Sequence, residues 1–457
     1  MMIIKKTIVI LITTIFVVAF NQNSFAVSFN PSISLSEEYN DNIYLANEDG
    51  NKVEDWITIV TPGFVLEAKT RKAGILVNYD ISHSIYKNYS ENDSFRHNSL
   101  FDSWYKLSKH TEIGLSNRFI KTEETLTGED STGIRNEREP YYSNSSTVDI
   151  DHTFGDKRSI NIAYSYKLLE NEDETIEDNY SHKCSLFLRY NIVRHLSVEQ
   201  EASYENGEYD FSPGFVRIKS RTRLTKALSS RFYMFVEYTH TDYNEETTFG
   251  NDGSIWGNTD WSFDDGDNFS ITDLTTESEL IDESYRVYHP SSGFGWTFEE
   301  GSSLSVNVGY FMQERDSDEN ESGVTIDGNL GKQWKFKRGL ISITGNSGYE
   351  DTQLQSENLG FNIYYQGMIG CKYSFTRNLQ SLIDLSYRSD NYVNSDDGQG
   401  DRKDDNYNLN ANISWHIKKW LNTSLAYSYT EKDSNFDEND YIENKVTLRF
   451  SLIYNDR

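Results

Sequence analysis

The chain has 457 residues, and 72 acidic against 43 basic side chains leave it with a net charge of −29. Such a charge would repel the phosphates of nucleic acid, which is therefore not an expected partner. Beyond the N-terminal segment no stretch reaches the ~20 apolar residues of a membrane helix; that limit does not touch spans built from strands, where only alternate residues meet lipid.

Lys5 and Lys6 precede an apolar run from Thr7 to Phe20, and Ser24-Phe25-Ala26 supplies small residues for cleavage. This predicts a secretory signal over residues 1–26, and no Cys follows it to mark a lipoprotein. The remaining 431 residues (457 minus 26) repeat one hairpin pattern and are read as a single domain, 27–457. Short connections are expected at about 69–73, 108–110, 155–158, 192–195, 227–229, 299–301, 335–338, 376–378 and 418–420. Longer ones centre near residues 50, 91, 132, 174, 209, 264, 317, 354, 397 and 436. Nine short and ten long connections join twenty strands, with both chain ends on the short-turn side.

Between these connections the residues alternate. On the paired segments 146–154 and 159–168, Val148, Ile150, Ile160, Ile162, Tyr164 and Leu168 form one face. Late in the chain Tyr407, Leu409, Ala411, Ile413 and Trp415 share a face, and Asn408, Asn410, Asn412 and Ser414 share the opposite one. Period-two alternation separates the two sets across a β-strand. No helix or second sheet is evident to cover so many apolar faces, whereas hydrocarbon outside and water inside suit them. The expected fold is all-β, a single antiparallel up-and-down transmembrane barrel of about 20 strands, with 18 as the alternative count. Cys184 and Cys371 fall on the lipid-facing set of distant strands and are expected to be free thiols. Pro62 and Pro290 fall inside strands, where a missing ladder donor predicts bulges or shortened strands.

Charge orients the cylinder. Residues 244–284 contain twelve Asp or Glu and no Lys or Arg, whereas the short connections carry Lys69, Arg71, Lys72, Lys335, Lys337, Arg338, Lys418 and Lys419. The acidic loops are placed outside the cell and the basic turns in the periplasm. Aromatic belts are expected at both ends. Phe154, Tyr190, Trp296, Phe298, Trp334, Phe375, Trp415 and Trp420 lie toward the turns; Tyr44, Tyr86, Tyr142, Tyr243, Tyr349 and Tyr392 lie toward the loops.

Three groups of residues could carry function. The same parity places Glu199, Glu201 and Glu205 inside on one strand, Arg217, Lys219, Arg221 and Arg223 on the next, and Glu237 on a third. That band could narrow a pore and set its charge preference, or brace the wall as an ion-pair ladder. Asn408, Asn410 and Asn412, with Ser424, Ser428 and Thr430 on the following strand, offer a neutral hydrogen-bonding surface to the lumen. The 244–284 loop is long enough to be functional. Within it Trp256 and Trp261 stand among acids, and Asp264, Asp265 and Asp267 resemble a cation site without the ligand spacing or closing Glu of an EF-hand. No metal or cofactor is expected. No Gly-x-Ser-x-Gly, His-Glu-x-x-His or Cys-x-x-Cys pattern occurs, so the chain is not expected to be an enzyme.

The opening Pro31-Ser-Ile-Ser-Leu-Ser-Glu-Glu-Tyr-Asn-Asp-Asn-Ile-Tyr44, followed by Thr61-Pro-Gly-Phe-Val-Leu-Glu67, resembles the β-barrel porin family associated with exopolysaccharide and exosortase-type (PEP-CTERM) gene clusters of Gram-negative bacteria. The resemblance is sharpest over about residues 29–86 and continues as a general hairpin style. It implies an outer-membrane barrel linked to polysaccharide export, and carries over no catalytic residue. The expected function is a porin-like channel, linked to exopolysaccharide export or to passive diffusion. A structural or docking barrel without an open pore is the alternative, and an outer-membrane hydrolase a third. Expected partners are outer-membrane lipid and lipopolysaccharide, a polysaccharide, and periplasmic export components.

Overall fold

The computed structural model describes residues 26–47, 52–123, 140–155, 158–173, 176–210, 213–246, 284–299, 302–315, 320–331, 338–351, 361–393, 402–436 and 439–454. Twenty strands run up and down in chain order. The first five are β1 (Ala26–Asn40), β2 (Asp55–Lys69), β3 (Ala73–Tyr86), β4 (Ser94–Lys106) and β5 (Thr111–Thr122). Next come β6 (Tyr141–Thr153), β7 (Ser159–Asn171), β8 (Asn179–Val193), β9 (Leu196–Tyr209) and β10 (Gly214–Ala227). Then follow β11 (Phe232–Glu246), β12 (Tyr285–Glu299), β13 (Ser302–Arg315), β14 (Ser322–Gly331) and β15 (Gly339–Asp351). The set ends with β16 (Phe361–Ser374), β17 (Leu379–Val393), β18 (Arg402–Lys418), β19 (Leu421–Ser434) and β20 (Tyr441–Ile453). The expected count of twenty holds.

Each strand pairs antiparallel with its sequence neighbours, and β1 closes onto β20 through Ser32–Asn40 against Ile453–Lys445. The exception is β14 and β15, which form no ladder among the described residues. There Ser347 Oγ donates to the Ile326 carbonyl. Across the narrow β14, the Tyr349 ring lies 5.5 Å from Phe311 and 5.2 Å from His289, so side chains bridge that seam. The barrel is nearly closed, and closure is what hydrocarbon demands of a sheet, because an open edge would leave N–H and C=O groups unpaired.

The faces separate as the sequence pattern requires. Ile33, Leu35, Ile162, Ile218, Val236, Val308, Leu385, Ile413 and Leu448 are all exposed on the outer surface. The turn-end belt is present: Phe154, Tyr190, Trp296, Phe375, Trp415 and Trp420 are exposed, while Trp334 lies outside the described residues. The loop-end belt is corrected in part: Tyr44 is exposed as expected. Tyr86, Tyr243 and Tyr392 are buried and point inward. In their place Trp56 and Phe95 stand exposed at the loop end.

Burial is concentrated at this end. Phe215, Tyr243, Tyr285, Val287 and Phe311 form one buried cluster, and Ile43, Ile57, Ile59 and Tyr86 another. Gly207 lets the first cluster form, since a Cβ there would come within 2.3 Å of the Phe215 ring. Asn42 secures the second. Its side chain donates to the Ala46 and Ile442 carbonyls and accepts from the Ala46 N–H, drawing the β1–β2 loop over the rim.

The two prolines break no strand. β2 and β12 are each 15 residues long, and Pro62 and Pro290 sit in unbroken register with β1 and β11 respectively. On their other side each ladder skips two pairs and resumes in the same register. Each strand absorbs one missing donor as a local gap, and the register shifts fall at Asn191/Val193, Thr297/Glu299 and His416/Lys418, beside the turns. Cys184 and Cys371 are free, and their register places both on the outer face.

The faces make a direct prediction. Leu385 sits mid-strand on the lipid side of β17, while Ser386 faces the lumen. Leu385→Arg should lower stability by about 2–4 kcal/mol, whereas Ser386→Arg should cost well under half of that. Urea-induced unfolding from lipid vesicles, followed by tryptophan fluorescence, measures both.

Candidate functional site

The inner surface of β8–β11 carries the charged band. Outward Val198, Tyr204, Ile218, Leu224 and Val236 fix the parity, so the residues between them point into the lumen. Register sets the charges against one another: Glu199 stands between Arg189 and Arg223, Glu201 opposite Arg221, Glu205 between Lys183 and Arg217, and Arg223 opposite Glu237.

The ion pairs follow. Arg189 Nε lies 2.8 Å from Glu199, and Arg221 Nη2 lies 2.8 Å from Glu201. Glu237 takes two guanidiniums, Arg223 at 2.5 Å and Arg221 at 3.3 Å. Glu205, nearly buried, also takes two cations, Arg217 at 3.2 Å and Lys183 at 3.4 Å. Arg223 additionally sits 4.3 Å over the Phe235 ring and Arg217 5.3 Å over Phe215, where a planar cation gains from the ring quadrupole. Glu199, Glu201, Arg217, Arg221, Arg223 and Glu237 are thus assembled as the sequence implies. Lys219 is not. It points into the same space without an ion pair or hydrogen bond to any described residue.

On β17–β19 the middle of the wall is mostly amide and hydroxyl, with Asp384 as its one acid. Asn408 stands between Ser386 and Thr430, Asn410 between Asp384 and Ser428, and Asn412 between Leu382 and Ala426. The side chains of all three asparagines lack a hydrogen-bond partner among the described residues, so their amides are left to water. Leu382 and Met368 point inward yet remain exposed, so the described side chains do not cover the wall around them.

Near the loop end a buried set stands on β18–β19. Asp404 receives Arg402 at 3.1 Å, Lys432 at 3.3 Å and the Ser434 hydroxyl at 2.7 Å. On β12–β14 a polar strut crosses the wall: His289 Nε2 and Thr325 Oγ1 are 2.7 Å apart over Gly309, where a Cβ would clash at 2.1 Å. A rim cleft of about 490 Å³ is lined by Glu91, Asp93, Glu123, Glu172 and Asp173. Two of those carboxylates are already held, Glu123 by Arg96 and Glu172 by Lys121, each at 2.5 Å.

Trp256, Trp261, Asp264, Asp265 and Asp267 lie outside the described residues, as does the 247–283 part of the acidic loop. Reading one strand at a time missed Lys183 and Arg189. The signal was in Lys183-Cys-Ser-Leu-Phe-Leu-Arg189, whose apolar Leu186 and Leu188 set the outer parity and turn both cations inward.

An antiparallel cylinder with an apolar, aromatic-belted exterior and a hydrated polar interior is a transmembrane β-barrel of the porin-like type, an architecture of the outer membrane. Residues 289–452, from early β12 into β20, match the family model described as "Putative beta-barrel porin 2". No curated protein matches the chain. Among solved structures, Pseudomonas aeruginosa OpdK with vanillate is 8% identical with a TM-score of 0.40, the match covering 94% of this chain and 100% of that one. Pseudomonas aeruginosa OccK9 (OpdG) is 10% identical with a TM-score of 0.43, over 94% and 99% of the two chains. A BenF-like porin from Pseudomonas fluorescens Pf-5 is 9% identical with a TM-score of 0.42, over 93% and 99%.

The shared carboxylate of Glu237 should matter most to the band. Glu237→Gln, which leaves Arg223 and Arg221 short of a counter-charge, should lower stability by about 1–2 kcal/mol. Glu199→Gln, whose partner Arg189 is half exposed, should cost less than about 1 kcal/mol. Urea unfolding of the two variants gives the order.

Proposed function

We propose that the barrel is a passive conduit for a hydrated, hydroxyl-rich solute, serving export of a surface polysaccharide, and that residues 1–26 direct the chain to the periplasm. The observation that carries this reading is the amide- and hydroxyl-rich middle of the β17–β19 wall. There Asn408, Asn410 and Asn412 present unpaired amides beside Ser386, Ser428 and Thr430, groups that can exchange hydrogen bonds with sugar hydroxyls as easily as with water. The charged band of β8–β11, separated from it by five strands around the cylinder, biases what passes. The polysaccharide assignment draws on the resemblance of the β1–β2 segment, Pro31–Tyr44 and Thr61–Glu67. On this reading the acidic loops meet lipopolysaccharide through divalent cations, and the basic turns between β2 and β3 and between β18 and β19 meet periplasmic export components.

A second reading has one observation in its favour. The buried clusters around Phe215 and Tyr243 and around Ile43 and Ile57 crowd the loop end, which suits a docking barrel whose outer mouth is filled. Planar-bilayer recording separates the two. A conduit inserts with discrete conductance steps, and Asn410→Trp lowers the unitary step; silent insertion of correctly folded protein supports the docking barrel instead.

A further inference from the structure

The band on β7–β11 is not balanced. Each carboxylate in it, Glu199, Glu201, Glu205 and Glu237, is already held by at least one cation. Lys219 on β10 and Lys167 on β7 are left over. Both face the lumen, both are exposed, and neither makes an ion pair or hydrogen bond to a described residue. Their neighbours do not relieve the surplus: the charged groups in the rows on either side of Lys219 are Lys183, Glu205 and Arg217 and then Glu201 and Arg221, and both glutamates are already taken by other cations.

What lies beside Lys219 is short. The register aligns Ala163, Ser185, Ser203, Lys219 and Thr241 in one row across β7, β8, β9, β10 and β11. The adjacent rows are taller: Lys183, Glu205 and Arg217 on one side, Phe187, Glu201 and Arg221 on the other. An unpaired ammonium at the end of a trough floored by Ser185 and Ser203 supplies a positive charge and two hydroxyls to whatever lies in it. In a chain of net charge −29, a positively charged patch on the inner wall is a local reversal of sign.

We infer that this trough is a contact site for a carboxylate-bearing saccharide, with Lys219 meeting the carboxylate and Ser185 and Ser203 the neighbouring ring hydroxyls. Lys167 and Lys183 extend the positive surface toward the loop end, so successive acidic residues of a chain would find a second cation. A charge-assisted hydrogen bond from an ammonium is stronger than the neutral contacts of β17–β19, so the two walls divide the labour, one gripping charge and the other sliding past hydroxyls. The inference names the solute class of the conduit reading and rests on it for its biological sense, although binding itself requires no open pore.

The experiment uses the full chain in detergent and in planar bilayers, with oligogalacturonate as the acidic probe and galactose oligomers as the neutral one. Calorimetry should show oligogalacturonate binding that Lys219→Gln weakens about tenfold, the loss of one charge-assisted contact, and that Lys219→Arg largely restores. Unchanged heat-modifiable gel mobility of both variants shows that they fold. In a salt gradient the same Gln variant should shift the reversal potential toward cation preference. Equal binding by wild type and Lys219→Gln, or no preference for the acidic probe, overturns the inference even where the barrel conducts. Selective binding without conductance sustains the site and defeats the conduit.

Discussion

Hydrocarbon offers no partner to a peptide group, and the rest of this structure follows from that constraint. Strands must find neighbours on both sides, so the sheet closes through β1 and β20, and only the β14–β15 seam lacks a ladder among the described residues. Once it is closed, each strand has one wet and one lipid face, and alternation is the only sequence pattern that satisfies both. Pro62 and Pro290 show how much the closed ladder tolerates. Each removes one donor, and the surrounding pairs hold the register without a bulge. A single open position is cheaper than a shifted strand, which would turn a whole apolar face toward water.

Inside the wall, polar groups are kept in two different ways. On β8–β11 charges neutralise one another across strands, and glutamates such as Glu205 and Glu237 each serve two cations. In the middle of β17–β19 the amides of Asn408, Asn410 and Asn412 have no hydrogen-bond partner among the described residues. The first arrangement is stiff, since long side chains are tied at both ends; the second leaves the surface free to exchange partners. Toward the loops a third condition appears, where aromatic and aliphatic side chains meet over the inner wall in two buried clusters. The wall is therefore varied along its axis, with apolar clusters and buried ion pairs near the loop rim and open polar groups through its middle.

Much of this was legible in the residues. The parity of β9–β11 could be read because Val198, Ile218, Leu224 and Val236 occupy every second position, and the structure keeps all the charges between them on the inner side. Legibility failed at the loop ends. Alternation distinguishes faces only where one face meets lipid, and beyond the membrane a tyrosine can bury itself on either side. Tyr86, Tyr243 and Tyr392 turned inward for that reason. Contacts spanning three strands were equally hidden: the His289–Thr325 strut depends on Gly309 in the strand between them, and nothing in the spacing of those residues announces it. In the sequence Lys219 looks like one more charge of the band; its isolation is visible only when Ser203 and Thr241 are set opposite it.

The two thiols have a use that their inertness conceals. Cys184 on β8 and Cys371 on β16 both emerge on the outer surface, well separated around the circumference. A spin label on each would span the cylinder from one side to the other, so the native protein already carries a caliper. The distance distribution between the labels would report whether the cross-section is round or flattened, and whether lipid thickness or bound ligand alters it, without any engineered attachment point.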